Sequence, residues 1–167
     1  MKIYTKNGDL GFTKTLAGES VKKNDLVVIA NGKIDSLQSS LDCAWLECGQ
    51  EMRGQVEWVQ EKLWQTGGEV SFARAGGPVK NPVEEKDVEL LEKWIDEYCE
   101  GKEFKHFLRF HNRAAIAFNE ARVRCREVER ALVPLLDQEK IRPAAFKFFN
   151  RLGDFLYAAS CYCEVFE

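Results

Sequence analysis

The strongest constraint on this sequence is the spacing of its apolar residues, which return at three- and four-residue steps through long segments and almost never alternate. Because about 3.6 residues complete a helical turn, such spacing lines up one apolar face of an α-helix. From about Asp25 to Cys48, the residues Ile34, Leu37, Leu41, Trp45 and Cys48 form one stripe. Met52, Val56, Val59, Leu63 and Val70 form a second, which the run Arg74-Ala75-Gly76-Gly77-Pro78 through Pro82 breaks. A third helix is predicted from about Val83 to Glu100, with Val88, Leu91, Trp94, Ile95 and Tyr98 on its apolar face. Glu84 and Glu85 lie in its first turn, where the helix dipole favours negative charge. After Gly101, the residues Ala115, Phe118, Cys125, Val128, Leu132 and Leu135 define a fourth helix from about Asn112 to Leu136. Pro143 opens a fifth that carries Phe148, Phe149, Leu152, Phe155, Leu156 and Phe166 to the end. The prolines, Pro78, Pro82, Pro134 and Pro143, are expected to punctuate these segments rather than interrupt them. The expectation is an all-α chain: a five-helix bundle forming a single domain over 1–167, with strand-like alternation nearly absent and an ordered non-helical loop over the first two dozen residues.

Composition agrees with a folded domain of this kind. A chain of 167 residues, 45% hydrophobic and 31% charged, can bury roughly 70% of the surface it exposes when unfolded, so it needs neither metal nor disulfides to fold. Its 24 Lys and Arg against 27 Asp and Glu leave a net charge of −3, without the basic excess of a nucleic-acid binder. No apolar run reaches the ~20 residues of a membrane span. Met1-Lys2-Ile3-Tyr4 has no apolar stretch behind it of the kind that marks a secretory signal, so a cytoplasmic location is expected. The cysteines (Cys43, Cys48, Cys99, Cys125, Cys161, Cys163) contain no CxxC pair, and five fall inside helical patterns. They read as small buried hydrophobes rather than ligands, and no metal site is assigned to them.

Chemistry concentrates in three places. The segment Tyr4-Thr5-Lys6-Asn7-Gly8-Asp9-Leu10-Gly11-Phe12-Thr13 mixes glycines, threonines, a lysine and an aspartate without periodicity. Glycines let successive N–H groups converge on an anion, Lys6 and Lys23 can neutralise phosphate, and Asp9 can act through magnesium. The segment does not match a P-loop, and a plain surface loop stays open as its reading. On the fourth helix Arg122, Arg126 and Glu129 share a face, either as a solvated ion-pair surface or as a phosphate clamp, for which guanidinium forks are suited. On the fifth, Asn150 and Asp154 stand one turn apart in an aromatic run, where they either bond to other helices or line a ligand site. Glu103 and His106 form one ExxH pair, whereas a di-iron bundle needs two.

Together these motifs resemble the PduO-type ATP:cob(I)alamin adenosyltransferases over almost the whole chain. The family's opening Y-T-[KR]-T-G-D-x-G-x-T is matched from Tyr4 to Thr13 except at Asn7, and Leu16, Gly18, Val21, Lys23 and Asp25 continue the likeness. Gly32-Lys33-Ile34-Asp35-Ser36-Leu37-Gln38-Ser39 echoes G-x-V-D-E-L-N-S. Ala121 to Arg130 fits A-R-x-x-C-R-R-x-E-R, and Phe149 to Leu156 fits the fifth-helix signature. The resemblance implies a ferritin-like up-down bundle with a nucleotide-binding N-terminal loop, assembled as a homotrimer with ATP between subunits. By position, Thr5, Lys6, Gly8, Asp9, Thr13 and Lys23 would hold phosphates and Mg2+. Arg126, Glu129 and Asn150 would contact ATP from the helices, and Asp35 and Arg122 would pair across the interface, with Arg126, Asp35 and Arg122 as the residues serving catalysis. Cobalamin, or a related corrinoid, would accept the adenosyl group.

Departures from the family pattern fall at Ser20, Val27, Ile29, Ser36, Gln38 and Glu127, and in His106-Phe107-Leu108-Arg109-Phe110-His111, which replaces F-x-L-P-G-G. His106 or Phe107 would stand for the family phenylalanine on the corrinoid side. The alternative reading is a homologue that binds ATP or a corrinoid as sensor or carrier without transfer.

Overall fold

The computed structural model describes residues 4, 6, 8–77, 79–101 and 108–166. A short antiparallel hairpin, β1 (Phe12–Lys14) and β2 (Ser20–Lys22), precedes five helices: α1 (Leu26–Glu47), α2 (Gln50–Phe72), α3 (Glu85–Cys99), α4 (Arg113–Asp137) and α5 (Pro143–Phe166). The helix limits fall within about two residues of those predicted, because capping chemistry fixes them locally. The Asp25 carboxylate accepts the Val27 N–H at 3.1 Å at the start of α1. The Asn112 side-chain oxygen accepts the N–H groups of Ala114 and Ala115 at 2.8 and 3.3 Å at the start of α4. Glu84 and Asp87 form a reciprocal capping box on α3.

The helices pack in the order α2, α1, α4, α5, α3, each against its neighbours in that series. Their apolar stripes meet in one core that includes Leu37, Leu63, Leu91, Phe118, Phe148 and Phe149, all fully buried. The buried pair Lys62–Asp87, 3.0 Å apart, ties α2 to α3. Glu69, buried near the end of α2, accepts both the backbone N–H of Arg142 at 2.9 Å and its guanidinium at 2.7 Å, which sets the entry of α5.

Three expectations are corrected. The N-terminal region contains a hairpin, with Thr13 opposite Val21. Its strands are three residues long, too short to show alternation, and Gly18 closes the turn at φ +83°. Pro134 lies inside α4 rather than between segments. It sits in the last turn, where the missing N–H removes a single bond and the chain beyond is about to leave the helix. Among the cysteines, Cys48, Cys125, Cys161 and Cys163 are buried, but Cys43 is exposed and Cys99 half-buried. Among the described residues no group of His, Cys, Asp or Glu could hold a metal ion by itself, and no helix is long and apolar enough to cross a membrane.

Candidate functional site

The polar N-terminal loop is folded by its own backbone. The Asp9 N–H donates to the Lys6 carbonyl at 3.3 Å, the Gly11 N–H to the Gly8 carbonyl at 3.2 Å, and the Lys23 N–H to the Gly11 carbonyl at 2.9 Å. Lys6 has φ 62° and Gly11 φ 80°, so left-handed residues bracket the turn. The last bond fastens the loop to the end of β2. It also brings the Lys23 ammonium over Gly8, where a Cβ would stand 2.9 Å from Nζ. Lys6, Asp9 and Lys23 are all exposed. Two cationic side chains, one carboxylate and a tightly turned backbone thus share one small surface.

The loop and hairpin are fastened to the α1–α2 side of the bundle. Arg74, just past α2, donates to the Asp25 carboxylate at 2.9 Å and lies 3.8 Å from Glu19. Between hairpin, α1 and α2 opens a cavity of about 530 Å³, lined by Thr13, Leu16, Asn31, Asp35, Trp64 and Gly68 among others. Asp35 also lines a groove of about 840 Å³ between α1 and α4, with Ser39, Cys43, Arg113, Glu120 and Arg124.

The second group of predicted residues lies on the α4–α5 seam. Asn150 donates its carboxamide N–H to Glu129 Oε1 at 3.0 Å. One turn before Glu129, Arg126 is exposed and makes no hydrogen bond or ion pair among the described residues. Arg122 is half-buried; its Nε donates to Asn119 Oδ1 at 2.9 Å, and its guanidinium lies 5.8 Å from the centre of the Tyr157 ring. Beneath this surface the buried Cys125 thiol donates to the Phe149 carbonyl at 3.3 Å. Burial pushes its pKa up, so it is a neutral packing group and no nucleophile.

The structure thus joins Gly8 with Lys23, and Glu129 with Asn150. It does not join Asp35 with Arg122 within one chain; Asp35, exposed, has no ion-pair partner among the described residues. Asn150 and Asp154 do not face the bundle interior, the placement that both sequence readings took for them: both are exposed, Asn150 bonds to another helix at Glu129, and Asp154 is bound by Arg151 of its own helix at 2.9 Å. Arg124 is engaged by Glu120 at 2.9 Å and Glu127 at 3.5 Å. Glu127, where the family pattern has arginine, is also bound by Lys33 of α1 at 2.7 Å. Thr5, His106 and Phe107, like Glu103, lie outside the described residues. Tyr157 was missed, because its relation to Arg122 crosses helices and leaves no spacing to read.

Residues 3–163 match the family described as cobalamin adenosyltransferase. The chain is 33% identical to the corrinoid adenosyltransferase MMAB of Mus musculus, over 99% of this chain and 74% of that protein. It is 32% identical to the corrinoid adenosyltransferase of Bacillus subtilis, over 96% and 85% of the two chains. Among solved structures, a variant PduO-type ATP:corrinoid adenosyltransferase from Lactobacillus reuteri, complexed with cobalamin and ATP, superposes with a TM-score of 0.88 at 31% identity, covering 98% of this chain and 93% of that one.

Proposed function

This chain belongs to the cobalamin adenosyltransferase family and is a corrinoid adenosyltransferase, and we propose that its ATP site is composite, built from the N-terminal loop of one copy and the α4–α5 seam of the next. The enzyme transfers the 5′-deoxyadenosyl group of ATP to reduced cob(I)alamin or a related corrinoid, giving adenosylcobalamin and triphosphate. The observation that carries the composite site is Arg126: a guanidinium exposed to solvent, with no hydrogen bond or ion pair among the described residues, one turn from the Glu129–Asn150 bond. An arginine left so is available for an anion, and phosphate oxygens match its planar fork.

A cobalt–carbon bond forms at the 5′ carbon as the bond from that carbon to the triphosphate oxygen breaks, and the triphosphate leaves with the electron pair. The nucleophile belongs to the corrinoid substrate, so the protein supplies placement, charge and exclusion of water. In this reading Lys6, Lys23 and the turned backbone around Gly8 hold the triphosphate, with Thr5 and Thr13 adding hydroxyls. Arg126 stabilises the charge that develops as the triphosphate departs. Glu129 and Asn150 hold one another in place and present the remaining carboxylate and carboxamide atoms to the nucleoside. Asp9 suits Mg2+, which binds through one or two carboxylates together with substrate phosphates; the ion would neutralise the leaving group. His106 or Phe107, by position in the sequence, would serve the corrinoid side.

A homotrimer is the assembly that fits. Loop and seam occupy different faces of one bundle, Asp35 and Arg126 each lack an ion-pair partner among the described residues, and Ile116 and Val123, 49% and 39% exposed, stand two turns apart on the outer face of α4. Pairing Asp35 with Arg122 of a neighbouring copy would cover that face. The use of Cys48, Cys125, Cys161 and Cys163 as buried packing groups supports a reducing, cytoplasmic setting.

The test is an anaerobic assay with cob(I)alamin, ATP and magnesium, followed by the absorbance of adenosylcobalamin, beside light scattering of the protein in solution. Product formation and a mass of three times 19.1 kDa are expected. ATP binding without product would leave a sensor or carrier, and an active monomer would overturn the composite site.

A further inference from the structure

Arg122 is held from two directions by residues that belong to different helices. Asn119, on its own helix, accepts from Nε at 2.9 Å. Tyr157, on α5, lies with its ring centre 5.8 Å from the guanidinium carbon, inside the range where a cation is attracted to an aromatic face. These two contacts engage Nε and the face of the guanidinium, leaving the terminal nitrogens for an outside partner.

The ring is fixed in turn. The Tyr157 hydroxyl lies beside the Leu108 backbone and the buried Cys161 thiol. Phe110 meets the ring edge-on, with centroids 6.4 Å apart and planes at 74°. Burial pushes the phenol pKa up. The ring is thus held by an aromatic neighbour and by the α5 backbone, whereas the arginine above it is held by the ring and one side chain.

We propose that the Tyr157 ring pre-orients the Arg122 guanidinium for its partner at the composite site, which makes Tyr157 a positioning residue for adenosyl transfer. An arginine already confined gives up less side-chain freedom when it engages an anion, and the gain appears as tighter assembly of the site rather than as a new contact to substrate. The proposal rests on Arg122 acting at that site.

The experiment is a double-mutant cycle of Tyr157→Leu and Arg122→Ala, read as kcat/KM for ATP in the anaerobic assay, with Tyr157→Phe as the conservative variant and thermal unfolding of each protein. Tyr157→Leu is expected to lower kcat/KM about three- to tenfold when Arg122 is present and less than about twofold when it is absent. Tyr157→Phe, which keeps the ring, recovers most of the loss. If Tyr157→Leu does not fold, Tyr157→Met takes its place in the cycle. An equal loss in both backgrounds, a Phe variant as impaired as the Leu variant, or an Arg122→Ala protein that works normally overturns the proposal while leaving the transferase reading intact. A wild-type protein that forms no adenosylated corrinoid overturns the transferase reading, and this proposal with it.

Discussion

Asn150 reaches from α5 to α4 and donates to Glu129 at 3.0 Å, joining two residues that are separated by the whole α4–α5 turn. The bond lies on the surface, beside an arginine, Arg126, that has no hydrogen-bond or ion-pair partner among the described residues. Exposed residues of opposite character left in this relation hold a site in readiness rather than hold the fold together, since a surface pair contributes little stability.

Arg126→Ala should therefore separate activity from stability. Loss of a guanidinium that stabilises a departing triphosphate is expected to lower kcat by about 10²-fold or more. The unfolding temperature should hardly move, because the side chain is exposed and makes no hydrogen bond or ion pair among the described residues. Both are read on one preparation, by anaerobic kinetics and calorimetry; a destabilised but active variant would contradict the assignment.

Gly8→Ala tests the loop. The added methyl would meet Lys23 Nζ at 2.9 Å, and the nearest obstacle is the end of a flexible side chain. The fold tolerates this by letting the ammonium swing away. ATP affinity, measured by calorimetry, should then fall several-fold and move toward that of Lys23→Ala, while the thermal midpoint stays close to wild type.

Glu164 gives a pH-dependent prediction. Its carboxylate accepts the backbone N–H groups of Asn112 at 3.0 Å and His111 at 2.8 Å, which hold its pKa below the ordinary glutamate range. A depressed native pKa means that the stabilisation is complete above the unfolded value and is lost as pH falls through the native one. Glu164→Gln should thus be less stable than wild type at neutral pH, and the difference should shrink on acidification below about pH 4. Urea unfolding at several pH values measures it; a deficit that is constant in acid would rule out the carboxylate as its cause.

The Lys62–Asp87 pair carries a structural prediction. The two side chains are 14% and 6% exposed, and Asp87 also accepts the Glu84 N–H at 2.8 Å. Removing one partner strands a buried charge, so Asp87→Ala is expected to cost about 3 kcal/mol, or roughly 6–12 °C in the thermal midpoint. Turnover per folded molecule should be unchanged.

What could be read in advance follows from what is local. Helix positions came from apolar spacing and from caps at Asp25, Glu84 and Asn112, each of which acts within a few residues. The hairpin escaped because three residues hold no measurable period. Pro134 escaped because a proline in a last turn costs too little to end the helix there. On the site, Arg126 and Glu129 were legible as neighbours on one helix. That Arg126 makes no ion pair among the described residues was not, since Glu129, three residues on along the same face, is bonded by Asn150 of another helix.

The sequence by itself determined the five helices, the polar loop before them and the residues able to meet a triphosphate, because periodicity, capping and side-chain charge are properties of short stretches of chain. Only the tertiary structure decided which of those residues are already bound and which remain free. It set Tyr157 beneath Arg122, gave Asn150 to Glu129, and held the loop and the α4–α5 seam on separate faces of one bundle. Such pairings depend on how whole helices cross, and a side chain's spacing along its own helix carries no record of that crossing.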